Sequence, residues 1–143
     1  MNLIIGSHVS YNNKSQLLGS VKEALSYKAN TFMFYTGAPQ NTNRSVIEDS
    51  LTMEAYKLMK ENNIALEKVI VHAPYIVNLA NFNNFDFSVS FLINEVERCS
   101  TLGIKYLVLH PGSAVNCSRE EAINNISKGL NLILDNDYDV TIL

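Results

Sequence analysis

Two apolar runs, each stopped at a histidine, constrain the fold of this chain more than any other feature. Val69-Ile70-Val71-His72 gives way to Ala73-Pro74, and Tyr106-Leu107-Val108-Leu109-His110 gives way to Pro111-Gly112. β-branched and aliphatic runs of this length read as strands of a parallel sheet, buried on both faces. Proline has no N–H to donate to a ladder, so each sheet strand ends there. Each strand therefore delivers one imidazole at its carboxyl end, the edge where α/β folds keep their chemistry.

The rest of the chain supports that frame. Leu3 to Val9 reads as a first strand, and Leu17, Leu18, Val21, Ala24 and Leu25 recur at helical spacing up to about Lys28. Thr31 to Tyr35 is a second strand, emptying into the polar loop Thr36 to Arg44. A helix over about Ile47 to Asn62 leads to a third strand, Glu67 to His72, and a long connection from Ala73 to Phe87 follows. Long connections in compact domains are more often functional than decorative. Ser88 to Leu102 is the third helix, with Gly103 as its stop, and Ile104 to Leu109 is the fourth strand. Ser118 and Glu121 form a capping box that opens the fourth helix, and Tyr138 to Leu143 begins a fifth strand.

Alternating βα units dictate a parallel sheet with right-handed crossovers. Two architectures fit: a flavodoxin-like doubly wound sheet, and the first four βα units plus strand five of a parallel (β/α)8 TIM barrel. An apolar last strand without a closing helix favours the barrel. Residues 1–143 are expected to be a single domain, a partial barrel forming the amino-terminal part of a longer catalytic domain.

Strand spacing decides what the histidines can do. Adjacent parallel strands lie about 4.8 Å apart, so His72 and His110 can share a pocket and address one metal ion. Two imidazoles alone do not complete a zinc site, and Asp139 falls at the wrong end of the fifth strand to help. His8 also lies near a strand's carboxyl end, so all three histidines of the chain fall on one edge. Tyr75 and Ile76 follow the Pro74 turn, an aromatic beside an aliphatic wedge that suits either loop packing or insertion into a base stack. Gln40, Asn41, Asn43 and Arg44 suit a solvated turn or a grip on phosphate and sugar.

Charge argues mildly against a polyanionic partner: 11 basic and 14 acidic residues give a formal net charge of -3, with no basic cluster. Bound cations would reverse that local balance. Hydrophobic residues make up 47% of the chain, enough for a core, yet no run approaches the roughly 20 apolar residues of a membrane span. With no basic, apolar leader at Met1 to Gly6, the expected location is cytoplasmic. Cys99 and Cys117 show no metal or redox spacing and are expected to be reduced thiols.

Four segments in order resemble the amino-terminal half of the endonuclease IV family, metal-dependent apurinic/apyrimidinic-site endonucleases of base-excision repair. They are Ile5 to Ser10, Phe34 to Thr42, Val71 to Ala80, and Leu102-Gly103 with Leu109 to Ser113. The resemblance implies a (β/α)8 barrel with three zinc ions that cuts the phosphodiester 5′ to an abasic sugar in double-stranded DNA. It leaves a 3′-hydroxyl and a 5′-deoxyribose phosphate. By that resemblance His72 and His110 are zinc ligands, Tyr75 and Ile76 intercalate at the lesion, and the loop carrying Gln40, Asn41 and Arg44 contacts DNA. His8 lines the site without being carried over as a ligand. The family's bridging glutamate would fall just beyond Leu143, so at most a partial cluster is expected in this chain, and a monomer is expected for the complete enzyme. Two rival readings remain: a metal-dependent sugar isomerase or epimerase of the same barrel group, and a non-catalytic half-barrel that binds DNA or oligomerises.

Overall fold

The computed structural model describes residues 3–143. Five parallel strands lie in the order of the chain, β1 (Gly6–His8), β2 (Thr31–Phe34), β3 (Ile70–His72), β4 (Tyr106–Val108) and β5 (Thr141–Ile142). Between them run α1 (Gln16–Ser26), α2 (Asp49–Glu61), α3 (Phe85–Thr101) and α4 (Arg119–Leu134). A doubly wound sheet reverses its strand order at a switch point. Sequential order throughout is instead that of a barrel wall, and it settles the choice between the two architectures.

All helices cover one face of the sheet. Burial alternates along the strands: Phe32 and Phe34 in β2, Val71 in β3 and Leu107 in β4 are sealed beneath the helices, whereas Met33, Ile70, His72 and Val108 are only partly covered. The sealed side joins Leu17 and Val21 of α1, Met59 of α2 and Leu92 and Val96 of α3 in a continuous core. The expectation of strands buried on both faces is thus corrected. One face is open, and Tyr106 and Leu143 on it are exposed. That open face corresponds to the inside of a barrel.

The strands are also shorter than the sequence suggests. Residues 3 to 5 stand outside the ladder because Asn30 takes over their backbone groups. Its side chain accepts from the Ile5 N–H at 2.7 Å and donates to the Leu3 carbonyl at 2.9 Å, while its own N–H reaches the Ile5 carbonyl. Before β3, Leu66–Lys68 turn in a short 3-10 segment instead of extending the strand to Glu67. Two features match expectation. Gly103 ends α3 in the left-handed conformation (φ 63°), and Ser118 and Glu121 complete a reciprocal capping box at α4.

The long connection after β3 is shorter and more ordered than its composition implies. Phe82–Asn84 form a 3-10 turn that runs straight into α3. Leu79 donates its N–H to the Pro111 carbonyl at 2.9 Å, and the Asn125 side chain of α4 donates to the Leu79 carbonyl at 2.8 Å. These bonds fix the connection against the turn that follows β4.

One-sided coverage has a measurable consequence. Leu107→Ala, on the sealed face, should cost about 2–5 kcal/mol in urea unfolding. Val108→Ala, one residue away on the open face, should cost less than about 1 kcal/mol. Equal costs would mean that both faces are packed.

Candidate metal centre at the strand ends

The carboxyl ends of the first four strands carry a row of rings. His8 lies 4.6 Å from Tyr35, Tyr35 lies 5.2 Å from His72, and His72 lies 5.1 Å from His110, measured between ring centroids. The row follows from register and a period of two. His8 pairs with Met33, so Tyr35, two residues on, shares its face; His72 pairs with Val108, so His110 shares its face in the same way. All four rings therefore belong to the open side of the sheet, at one mouth.

His72 is held in a definite orientation. Its Nδ1 lies 2.6 Å from the carbonyl oxygen of Ala73. A carbonyl can only accept, so Nδ1 carries a proton, and in the neutral ring the free lone pair is on Nε2. A backbone carbonyl bonded to the far ring nitrogen is the usual support for a metal-ligating histidine. His110 is exposed beside it. The donor set suits a first-row divalent cation, and it is incomplete: among the described residues no group of three His, Cys, Asp or Glu gathers at one point. Asp139 is taken up elsewhere, in a solvent-exposed ion pair with Lys105 at 2.8 Å.

His8 is set apart from the histidine pair by Tyr35. Burial lowers its pKa from the ordinary imidazole value and the nearby His72 adds to the effect, against an opposing pull from the Val9 backbone and Glu23. It borders a groove of about 310 Å³ lined also by Ser10, Glu23, Tyr35 and Gly37. His8 thus lies on the wall of this groove.

Tyr75 projects at the rim with 62% of its surface exposed, while Ile76 is half-buried and packs against the core. Gln40 is exposed and Asn41 partly so, in the loop that leaves β2 and borders the same groove. Arg44 differs from the expectation of an outward grip on DNA. Its side chain is 6% exposed, forms an ion pair with the buried carboxylate of Glu95, and stacks 4.8 Å above the ring of Phe91. The guanidinium is committed to the interior because Glu95, on α3, has no other cation within ion-pairing distance among the described residues.

Three contributors escaped the sequence reading. Tyr35 completes the row of rings, and its place at the tip of β2, matching His72 on β3, was the available signal. Asn78 donates to the Ser113 carbonyl at 3.0 Å and caps the Ala80 N–H, tying the turn after β3 to the turn after β4. It lies so close over Gly112 (φ 117°) that a Cβ there would collide with it. The third is the Glu95 and Arg98 pair, charged residues at stripe positions of an otherwise apolar helix face. Cys99 on that face is free and buried, and burial pushes its thiol pKa up, so it is inert; Cys117 is also free.

None of the helices is long and apolar enough to cross a membrane among the described residues. A family model described as a xylose isomerase-like TIM barrel matches residues 21–143. The chain is 55% identical over 144 residues to a probable endonuclease 4 of Acholeplasma laidlawii, covering 98% of this chain and 49% of the relative. It thus spans about half the length of the curated relatives it matches. Endonuclease IV from Thermus thermophilus superposes with a TM-score of 0.75 at 25% identity, over 92% of this chain and 46% of that one. A D-tagatose 3-epimerase-like protein superposes with a TM-score of 0.65 at 18% identity, a likeness of fold alone, over 96% of this chain and 51% of that protein. The resemblance to endonuclease IV is borne out by these similarities, and the chain belongs to the xylose isomerase-like TIM barrel family.

Proposed function

We propose that this chain is the amino-terminal half of a zinc-dependent, intracellular DNA-repair endonuclease that cuts double-stranded DNA on the 5′ side of abasic sites. One observation carries the reading above the others. Two imidazoles stand 5.1 Å apart at adjoining strand ends, one with its ring oriented by a backbone carbonyl. Tyr75 projects at the rim on the turn that directly follows His72. The similarity to proteins named endonuclease 4 supplies the reaction class.

In this reading His72 and His110 hold zinc, and the remaining ligands are not among the described residues. Zinc held there would supply Lewis-acid chemistry, activating water near neutral pH and offsetting charge on the attacked phosphate. The chain's own residues do the rest of the work. The Ala73 carbonyl engages Nδ1 of His72, which leaves Nε2 as the nitrogen available to a metal ion. Tyr75 offers a flat, exposed ring to stack where a base is missing, and half-buried Ile76 gives it a firm base. Gln40 and Asn41 meet sugar or phosphate along the neighbouring loop. Arg44 contributes from inside, holding that loop. Cations held by these residues would offset the formal net charge of -3 where DNA would approach.

The sugar-epimerase alternative has the fold in its favour and nothing further, because its likeness stops at the barrel. A free sugar also gives no role to a protruding tyrosine.

Incision of an abasic-site duplex by the complete protein should be abolished by a chelator and restored by zinc; chelator-resistant cutting would falsify the metal mechanism. His110→Ala should lower bound zinc affinity by at least ~10-fold and activity in step. Unchanged metal content would remove that residue from the ligand set. Tyr75→Ala should leave zinc content intact and weaken binding to the abasic duplex by about 1–3 kcal/mol, the worth of one stacking contact. Equal affinity would show that the ring does not enter the stack.

A further inference from the structure

A fully buried carboxylate and a buried guanidinium lie on α3, where charged side chains are seldom found unless paired. Glu95 is 0% exposed and Arg98 7%. Glu95 accepts from the Thr36 hydroxyl at 2.7 Å and from the Arg44 guanidinium. Arg98 donates to the Thr36 hydroxyl at 3.2 Å, the Thr36 carbonyl at 3.0 Å and the Ser45 carbonyl at 2.8 Å. Every one of these bonds runs from the helix to the loop that leaves β2, and they seize it at both ends. From α1 the buried Gln16 continues the hold, donating to the Val46 carbonyl at 2.8 Å and accepting from the Glu48 N–H at 2.9 Å.

Within the loop the one backbone bond is long, 3.4 Å from the Asn41 N–H to the Ala38 carbonyl, and the Asn43 N–H donates to the Asn41 side chain at 3.0 Å. The rest of its internal hold comes from Arg44, which donates to the carbonyls of Ala38 at 3.4 Å, Asn41 at 3.2 Å and Asn43 at 2.9 Å, so the loop's conformation hangs on the guanidinium that Glu95 grips. A buried ion pair is weak evidence for stability, because desolvation offsets most of its attraction. It does fix geometry, since hydrogen bonds to charged groups are directional and costly to leave unmade. Between the two anchors lie Gln40 and Asn41, the second held through its carbonyl by Arg44.

We infer that Glu95 is a positioning residue for nucleic-acid binding: with Arg98 and Arg44 it clamps both ends of the loop after β2, so that Gln40 and Asn41 are presented to the duplex in one conformation. The inference rests on the proposed DNA contact of that loop. It assigns Arg44 an inward task and makes a helix residue outside the mouth a determinant of affinity.

The test uses the full chain, an abasic-analogue duplex and two variants of different severity. Glu95→Gln removes the charge; Thr36→Val deletes only the bridging hydroxyl at similar volume and keeps the charges paired, so it preserves the fold if the first variant does not. Amide exchange over residues 37–45 should quicken by ~10-fold or more in each while α3 stays protected. Duplex affinity should fall by ~10-fold, but not in a Gln40→Ala/Asn41→Ala background, where the contacts being positioned are already gone. A general loss of stability would weaken binding in both backgrounds. Unchanged exchange in the loop, or a loss of affinity that persists in the double-alanine background, overturns the positioning role. Equal affinity of the wild type and the double-alanine variant instead removes the DNA contact itself, a failure read in affinity alone and independent of the exchange result.

Discussion

The parallel pairing of β3 with β4 is the constraint on which the rest depends. Its register sets Val71 opposite Leu107 and His72 opposite Val108. Because side chains alternate with a period of two, a slip of one residue would turn one histidine out of the mouth and into the helix-covered core. The register is protected on that covered side. Val71 and Leu107 are fully buried there, and the Ala73 N–H extends the ladder to the Val108 carbonyl at 2.8 Å. Apolar packing beneath the helices thus decides which polar rings meet above the sheet.

The turns complete what the ladder begins. Pro111 ends β4's pairing, yet its carbonyl receives the Leu79 N–H, and the Asn78 amide crosses Gly112 to Ser113. The segments following His72 and His110 are thereby bound to each other, so the two rings are held from below by the sheet and from the sides by their own turns. The same division of labour recurs at β2, where the strand delivers Tyr35 and a buried charged network holds the loop beyond it. Rigid strands place the row of rings; pinned loops place the residues beyond them.

The alternation of strands and helices, the shared edge of the three histidines and the caps at Gly103 and Ser118 were legible because each depends on local chemistry. The open sheet face was not. Barrel-wall strands are apolar on both sides, so Met33, Ile70 and Val108 read the same whether covered or bare. Nor was the inward turn of Arg44, since a polar loop reveals nothing about which distant partner claims its one cation. A clue did exist in α3, where Glu95 falls among Phe91, Leu92, Val96 and Cys99 on the buried stripe. A charge in that position announces a partner from outside the helix. Strand ends failed for a similar reason: Asn30, not a neighbouring strand, satisfies the backbone of residues 3 to 5.

The central claim is that His72 and His110 address one ion at a single mouth. A cobalt(II) titration followed on the imidazole proton resonances tests it most directly, because paramagnetic broadening reports distance to the ion. The account predicts that the rings of His72 and His110 broaden together from the first additions, with His8 less affected across the intervening Tyr35. Broadening of one of the pair without the other, or of His8 ahead of both, would contradict it.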